Sequence, residues 1–100
     1  MIIRIVKMEF TTETAPLFLE VFHASAEQIR SFPGNQGLQL LREMGDSPIF
    51  FTYSYWENEE ALEAYRHSSL FESTWAKTKI LFGGKPQAWS TQAIWTNLQD

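Results

Sequence analysis

Apolar and polar residues alternate along four stretches of the chain, and this period of two predicts β-strands. The first stretch, residues 2–10, is rich in β-branched side chains, which suit a pleated surface. One face of it carries Ile2, Arg4, Val6, Met8 and Phe10. Large apolar residues occur on both faces, so both are expected to be at least partly covered. Further strands are predicted over residues 38–44, 49–56 and 87–98.

Apolar residues recur at helical spacing in three other stretches. Residues 16–31 form an amphipathic helix of roughly four turns. Asn58 is a typical N-cap for a short helix that reaches about His67, because its side chain can accept a bond from a free amide of the first turn. Ser69 is the predicted cap of a third helix, which Gly83-Gly84 is expected to end.

The predicted elements follow the order β-α-β-β-α-α-β, which is the ferredoxin-like arrangement with its second helix divided in two. The fold class is therefore α+β, with an antiparallel four-stranded sheet that the helices cover on one side. Residues 1–100 are expected to form a single domain. The uncovered face of the sheet carries large residues as well, and a second copy of the chain is its expected cover. The sequence therefore predicts a homodimer.

The balance of charges excludes several classes of partner. The formal net charge is −4 and no cluster of Lys or Arg occurs, which argues against a nucleic-acid partner.

No apolar stretch approaches the roughly 20 residues of a membrane-spanning helix. The apolar N-terminus is interrupted by charged residues, unlike the apolar core of a signal peptide. We therefore expect no membrane partner and a cytoplasmic location. Because the chain has no cysteine, disulfides, thiolate metal sites and a cysteine nucleophile are excluded.

No motif for a bound metal or nucleotide is present. Gly83-Gly84-Lys85-Pro86 differs from a phosphate-binding loop because it follows a helix and precedes a strand. His23 belongs to the polar face of the first helix, where a solvated side chain is expected. His67 lies at the break between the two short helices, where it either favours a helix C-terminus or serves as the base of a pocket. No metal and no cofactor are expected.

Aromatic residues make up 15% of the chain, more than an average core requires. Some of them are expected to line a cavity or a subunit interface, where aromatic side chains are enriched. The end of the third strand and the two short helices bring together Trp56, Tyr65, Phe71 and Trp75. These four either surround an apolar pocket that suits a flat polycyclic or quinol ligand, or form solid core.

A family resemblance is carried by the turn before the second strand and by the junction of the third strand with the helices. Its marks are Pro33-Gly34…Gly37-Leu38, then Tyr55-Trp56-Glu57…Glu60-Ala61-Leu62, then Tyr65…Ser68…Phe71. On these residues nearly the whole chain resembles the antibiotic biosynthesis monooxygenase-like family. Its members are small dimeric α+β barrels that include cofactor-independent quinol and anthrone oxygenases and haem-degrading enzymes. The resemblance implies a homodimer that forms such a barrel through its sheet faces.

The haem-degrading branch of that family is not expected here. In that branch a histidine on the second helix ligates the iron, and a tryptophan and an asparagine complete the site. In this chain Trp75 and Tyr65 stand where the histidine and the tryptophan would be, and the position of the asparagine falls near Val6. Since an indole nitrogen only donates, Trp75 cannot ligate iron.

The quinol-oxygenase branch implies a different chemistry, in which a phenolate or enolate formed in the pocket reacts directly with O₂. On that resemblance the chain is expected to be a cofactor-independent monooxygenase of an aromatic, quinol or polyketide-like substrate. The candidate catalytic residues are Tyr65 and His67, and the candidate substrate-binding residues are Tyr53, Trp56, Phe71 and Trp75. The alternative is a non-catalytic dimeric module of the same fold that binds a small molecule or serves a stress response. An isomerase or decarboxylase using the same pocket also stays open.

Overall fold

The computed structural model describes residues 1–98, and their order of elements confirms the ferredoxin-like α+β fold. The elements are β1 (Ile2–Glu9), α1 (Ala15–Arg30), β2 (Asn35–Arg42), β3 (Ile49–Trp56), α2 (Glu59–Arg66), α3 (Ser69–Lys79) and β4 (Gln87–Thr91). The four strands form one antiparallel sheet in the order β2-β3-β1-β4. Within this described part of the chain, no helix is long and apolar enough to cross a membrane.

The pairing register assigns alternate residues of each strand to two faces of the sheet. One face packs against the helices, and we call it the covered face. Its members include Ile2, Arg4, Val6, Met8, Leu38, Phe50, Thr52, Ser54, Trp56 and Ala88. The opposite face carries no helix of the same chain, and we call it the open face. Its members include Ile3, Ile5, Gln39, Leu41, Phe51, Tyr53, Tyr55 and Trp89.

Two buried clusters occupy the two ends of the covered face. The first consists of Met8, Phe10, Ala15, Phe18 and Phe50. The second consists of Ile2, Trp56 and Leu62. Met8 pairs with Phe50, and Ile2 pairs with Trp56, at opposite ends of the β1–β3 ladder. The middle of the covered face therefore lies between two tightly packed hydrophobic clusters.

The second strand begins earlier than predicted. β2 covers Asn35–Arg42 rather than residues 38–44. A bulge between Asn35 and Gly37 lets the chain enter the sheet directly after the turn, and Asn35 Oδ1 accepts a hydrogen bond of 2.9 Å from the Gly37 amide. The glycine that marks a turn in the sequence is thus part of the strand.

The last strand is shorter than predicted, because β4 ends at Thr91 and not at Leu98. Thr91 pairs with Ile3, so β1 offers only one further strand residue beyond this pair. Apolar residues continue at Ala93, Ile94, Trp95 and Leu98, but beyond Ile2 the described part of the chain offers them no neighbouring strand. Residues 92–98 belong to no helix or strand, and Ile94 is fully exposed.

The third helix is capped by Ser68 and not by Ser69, since Ser68 Oγ accepts a hydrogen bond of 3.1 Å from the Phe71 amide. The helix ends at Lys79, before the glycine pair. The Gly83 amide instead donates to the Glu9 carbonyl at 2.8 Å, and a Cβ at Gly83 would lie 2.7 Å from the Phe10 carbonyl oxygen. Gly83 therefore permits two backbones to approach closely, rather than ending the helix as predicted.

The turn between α1 and β2 packs against α2. Gly34 has a φ of 89°, in the left-handed region that favours glycine. Its carbonyl accepts a hydrogen bond of 2.8 Å from the Glu57 amide, and a Cβ added to it would collide with Cβ of Ala61. Both conformation and space therefore require glycine at this position.

Candidate functional site

A cavity of about 370 Å³ lies between the middle of the covered face and the helices. The sheet contributes Arg4, Val6, Met8, Leu38, Thr52, Ser54 and Ala88 to its wall. The helices contribute Phe18, Val21, Phe22, Ile29, Leu62, Tyr65, Arg66, Phe71, Thr74, Trp75 and Thr78. A mostly apolar wall with a few polar groups, at this volume, is typical of a small-molecule site.

Three of the predicted site residues line this cavity: Tyr65, Phe71 and Trp75. Phe71 and Trp75 are one helical turn apart on α3, so their rings lie on the same side and stack at 5.9 Å. The edge contact between Tyr65 and Phe71, at 5.3 Å, joins α2 to α3. The break between the two helices thus places an aromatic wall from both along one side of the cavity.

Trp56 supports that wall from behind. It is fully buried, and its ring stacks on Tyr65 at 4.8 Å. Its Nε1 donates a hydrogen bond of 2.9 Å to Ser54 Oγ, which satisfies the polar end of a buried indole. Trp56 is therefore part of the core beneath Tyr65, while Ser54 borders the cavity.

Tyr53 and His67 lie away from the cavity. Tyr53 is on the open face, where it pairs with Ile5 of β1 and Gln39 of β2. His67 follows α2 with a side chain that is 79% exposed, and its Nε2 is 3.2 Å from Glu63 Oε2. Their roles in substrate binding and catalysis remain predictions, to be tested by substitution.

The Tyr65 hydroxyl makes no hydrogen bond to any residue that the structure describes. Burial raises the pKa of this phenol to about 12. The group is therefore neutral at physiological pH, where it can donate a hydrogen bond but is a poor proton acceptor. A ligand oxygen in the cavity would find a free donor at this position.

Arg4 is a cavity residue that the sequence analysis did not single out. Its guanidinium donates a hydrogen bond of 2.9 Å to Ser90 Oγ on the neighbouring strand. Burial lowers the pKa of Arg4, repulsion from Arg66 lowers it further, and Glu63 partly offsets both. In the sequence, the sign that Arg4 has a special role is its charge among apolar residues on the same face of β1.

The described residues offer few protein ligands for a metal. Residues 1–98 contain no group of three or more His, Asp or Glu side chains placed to hold an ion. The three positions that match the haem site of the resembled branch, Val6, Tyr65 and Trp75, all line the cavity. Val6 and Trp75 cannot ligate iron, and the raised pKa of Tyr65 disfavours the phenolate that could, so the wall fits an organic ligand better than a haem.

Comparison with known proteins agrees with this architecture. The family model described as antibiotic biosynthesis monooxygenase matches residues 1–77. A proposed monooxygenase of this kind from Deinococcus radiodurans is 15% identical, covers 100% of both chains and superposes with a TM-score of 0.88. One from Nitrosomonas europaea is 17% identical over 95% of this chain and 100% of its own, with a TM-score of 0.87.

A third solved structure, a proposed monooxygenase from Caulobacter crescentus, is 19% identical over 93% of this chain and 89% of its own, with a TM-score of 0.86. At these identities the likeness shows the fold alone. A comparison with curated proteins finds no match.

Proposed function

Because the chain belongs to the antibiotic biosynthesis monooxygenase family, we propose that it oxygenates a planar aromatic, quinol or polyketide-like substrate with O₂ and no bound cofactor. In such a reaction an anthrone-type CH₂ loses two hydrogens and gains one oxygen atom as a carbonyl. The second oxygen atom leaves as water. The substrate supplies all four electrons, so the protein has to bind it, orient it and favour loss of its proton.

The single observation that carries this proposal is the aromatic cavity on the covered face. A flat ring system would lie against Phe71 and Trp75, whose planes are within 9° of parallel. Stacking of this kind adds to the apolar area that a bound ligand removes from water. The two solid clusters at the ends of the covered face hold this wall in place.

Tyr65 is the residue that we propose touches the reacting part of the substrate. Its neutral hydroxyl can donate a hydrogen bond to a substrate oxygen, which stabilises the phenolate or enolate as negative charge develops. Trp56 holds the ring from behind, so the donor is oriented before the substrate arrives. His67 remains the candidate proton acceptor, in contact with Glu63.

We further propose that residues 1–100 act as one domain and that two copies associate through the open face. Apolar side chains cover much of this face, and Trp89 and Leu41 are 45% and 40% exposed. Exposed apolar area of this kind is characteristic of a protein interface. Sedimentation of the purified protein should give twice the mass of one chain, and a monomer at micromolar concentration would contradict this part of the proposal.

A second candidate function is a non-catalytic binding module of the same fold. One observation favours it: among the residues that line the cavity, no carboxylate or histidine is present to take a proton. Tyr65 is a donor at neutral pH, and the His67 ring lies outside. A module of this kind would bind a planar aromatic without consuming O₂.

Oxygen uptake by the purified protein, with no added cofactor, tests these alternatives. The substrates are a panel of anthrones, hydroquinones and flavonols, each with a measured background of autoxidation. Protein-dependent uptake supports the oxygenase. Binding of a panel member without uptake supports the module.

Substitutions then assign the roles. Tyr65→Phe should lower kcat by about 100- to 1,000-fold, which is typical for loss of a donor to a developing oxyanion. Trp75→Leu should mainly raise KM, because it removes a wall of the site. His67→Ala is paired with His23→Ala, a second exposed histidine. Intact turnover in both Tyr65→Phe and His67→Ala would contradict the assignment.

A further inference from the structure

Arg4 is a charged residue in the middle of the covered face, between Ile2 and Val6 on the same side of β1. It pairs with Ser54 of β3 on one side and with Ser90 of β4 on the other, and neither neighbour is charged. Its side chain is partly buried and forms part of the cavity wall. The wall of the cavity therefore carries a permanent positive charge, because a guanidinium does not lose its proton in proteins.

No carboxylate forms a direct ion pair with Arg4 among residues 1–98, and Glu63 acts on it only from a greater distance. Of the five N–H donors of a guanidinium, one meets a partner here, Ser90 Oγ at 2.9 Å. Removing a charge from water without a partner is costly, and such groups in proteins are normally paired. The other donors of this guanidinium have no hydrogen-bond partner among the described residues, so they are free to meet a ligand.

The surroundings of Arg4 increase the local positive charge. Arg66 also lines the cavity, at the end of α2. The nearby carboxylate of Glu63 is engaged elsewhere, at 3.0 Å from Arg66 and at 3.2 Å from His67. Two guanidinium groups thus share one carboxylate, in a chain whose formal net charge is −4. A positively charged patch on the cavity wall of an acidic protein is suited to an anion that enters the cavity.

We propose that Arg4, with Arg66 beside it, is the anion-recognition group of the cavity, and that the natural ligand is a planar aromatic compound bearing a carboxylate. This inference deepens the proposed function, since it names the substrate class of the same cavity. The carboxylate would meet the free fork of Arg4 while the ring system lies along Phe71 and Trp75.

The choice of a carboxylate follows from geometry and desolvation. A guanidinium presents two parallel N–H bonds, and these match the two oxygens of a carboxylate. A neutral quinol oxygen can accept a hydrogen bond from Arg4, but it lacks the negative charge and the paired oxygens that match the guanidinium. A site built around a polar group discriminates against the analogue that pairs with it less completely. Arg4 therefore selects the ligand by charge, while the aromatic wall selects it by shape.

Isothermal titration calorimetry with a matched pair of probes tests the inference. The probes are 2-naphthoate and 2-naphthamide, which share size and ring system and differ in charge. The wild-type protein should bind the naphthoate about 10- to 100-fold more tightly, as expected for a charge-assisted pair. Arg4→Met should bring the ratio of the two Kd values to within about twofold, with the Kd of the naphthamide unchanged.

Two further variants separate charge recognition from folding. Arg42→Met makes the same chemical change on β2 at a residue that lies over the Phe50 ring at 4.7 Å, and it should keep the wild-type ratio. Arg4→Lys retains a charge but not the planar fork, so it should give an intermediate ratio. If Arg4→Met does not fold, Arg4→Lys and Arg66→Met provide the test through partial loss of the preference.

Equal binding of both probes to the wild type would overturn the inference, as would a preference that survives in Arg4→Met, or no binding of either probe. Oxygen uptake is scored separately. Naphthoate preference without uptake by any substrate would leave the anion site standing and remove the proposed oxygenase. Oxygen uptake combined with equal binding of the two probes would support the oxygenase and overturn the anion site.

Discussion

The two faces of the sheet are formed by the same strands but differ in what packs against them. On β3, Phe50 of the covered face is 2% exposed, whereas its neighbour Phe51 on the open face is only partly buried. The covered face is closed by helices of its own chain and encloses a cavity between two solid clusters. No helix of the same chain covers the open face, so its aromatic side chains lie at the surface of the monomer. The covered face thus carries the stability and the candidate chemistry of one chain, while the open face is suited to assembly.

The largest expected effect is a loss of stability from a substitution in the covered face. Phe50→Ala should lower the free energy of unfolding by about 3–5 kcal/mol, because it leaves a hole in a cluster that the chain cannot refill. Phe51→Ala, one residue along on the open face, is the matched control and should cost clearly less at low protein concentration. Urea unfolding at several concentrations measures both. Equal losses for the two variants in dilute solution would contradict the contrast between the faces.

The second effect concerns the open face. Tyr53→Glu should raise the dissociation constant of the proposed dimer by 100-fold or more, about 2.7 kcal/mol, since each partner would bury an unpaired carboxylate. His23→Glu adds the same charge on the exposed side of α1 and should leave association unchanged. Sedimentation velocity gives the two constants. A dimer that tolerates Tyr53→Glu would show that the open face is not its interface.

The third effect depends on pH and belongs to the covered face. Burial holds the pKa of Tyr65 at about 12, against about 10 for an unfolded chain. The unfolded state therefore loses this proton first, so stability is retained below pH 10 and falls as the pH rises from 10 to 12. The loss is about 2 to 3 kcal/mol, and Tyr65→Phe should remove it.

Tyr55→Phe, a substitution on the open face, is the control for this pH effect and should keep the Tyr65 contribution. Urea unfolding of the three proteins between pH 9 and 12 provides the comparison. The same pH profile for the wild type and Tyr65→Phe would contradict the burial of this phenol.

The smallest effect concerns the helix that carries Tyr65 over the covered face. Asn58 Oδ1 accepts a hydrogen bond of 2.8 Å from the Ala61 amide and caps α2. Asn58→Ala should therefore cost about 1 kcal/mol of unfolding free energy, while Asn58→Asp should retain most of the cap. Thermal unfolding measures the cost. A change in dimer dissociation with Asn58→Ala would indicate that the two faces are coupled.

Local patterns predicted the elements well because alternation and helical spacing are local properties. They could not predict where a strand ends when the limit is its partner. β4 stops at Thr91 because β1 has almost no strand left to pair with, although the alternation continues to Trp95. The prediction of Ser69 as the cap of α3 is wrong for a similar reason, since adjacent serines are equivalent in the sequence and only the backbone conformation selects Ser68.

For the candidate site, the sequence predicts that the aromatic residues lie together, but it does not show which of them line the cavity and which are buried behind its wall. Tyr65, Phe71 and Trp75 line the cavity, whereas Trp56 lies beneath Tyr65. That difference is set by how α2 packs on β3, which no local spacing encodes. Arg4 was visible as a charge among apolar residues, but its proximity to Arg66 depends on contacts between residues far apart in sequence.

The contact between Gly34 and Ala61 has a consequence for how relatives of this protein can diverge. The smallest side chain at one position and a methyl group at the other set how closely α2 approaches the sheet. A bulkier residue at either site would push outward the helix that carries Tyr65 and Arg66. Among homologues, these two positions should therefore change together, and the pair would set the distance of α2 from the sheet without altering any residue that lines the cavity.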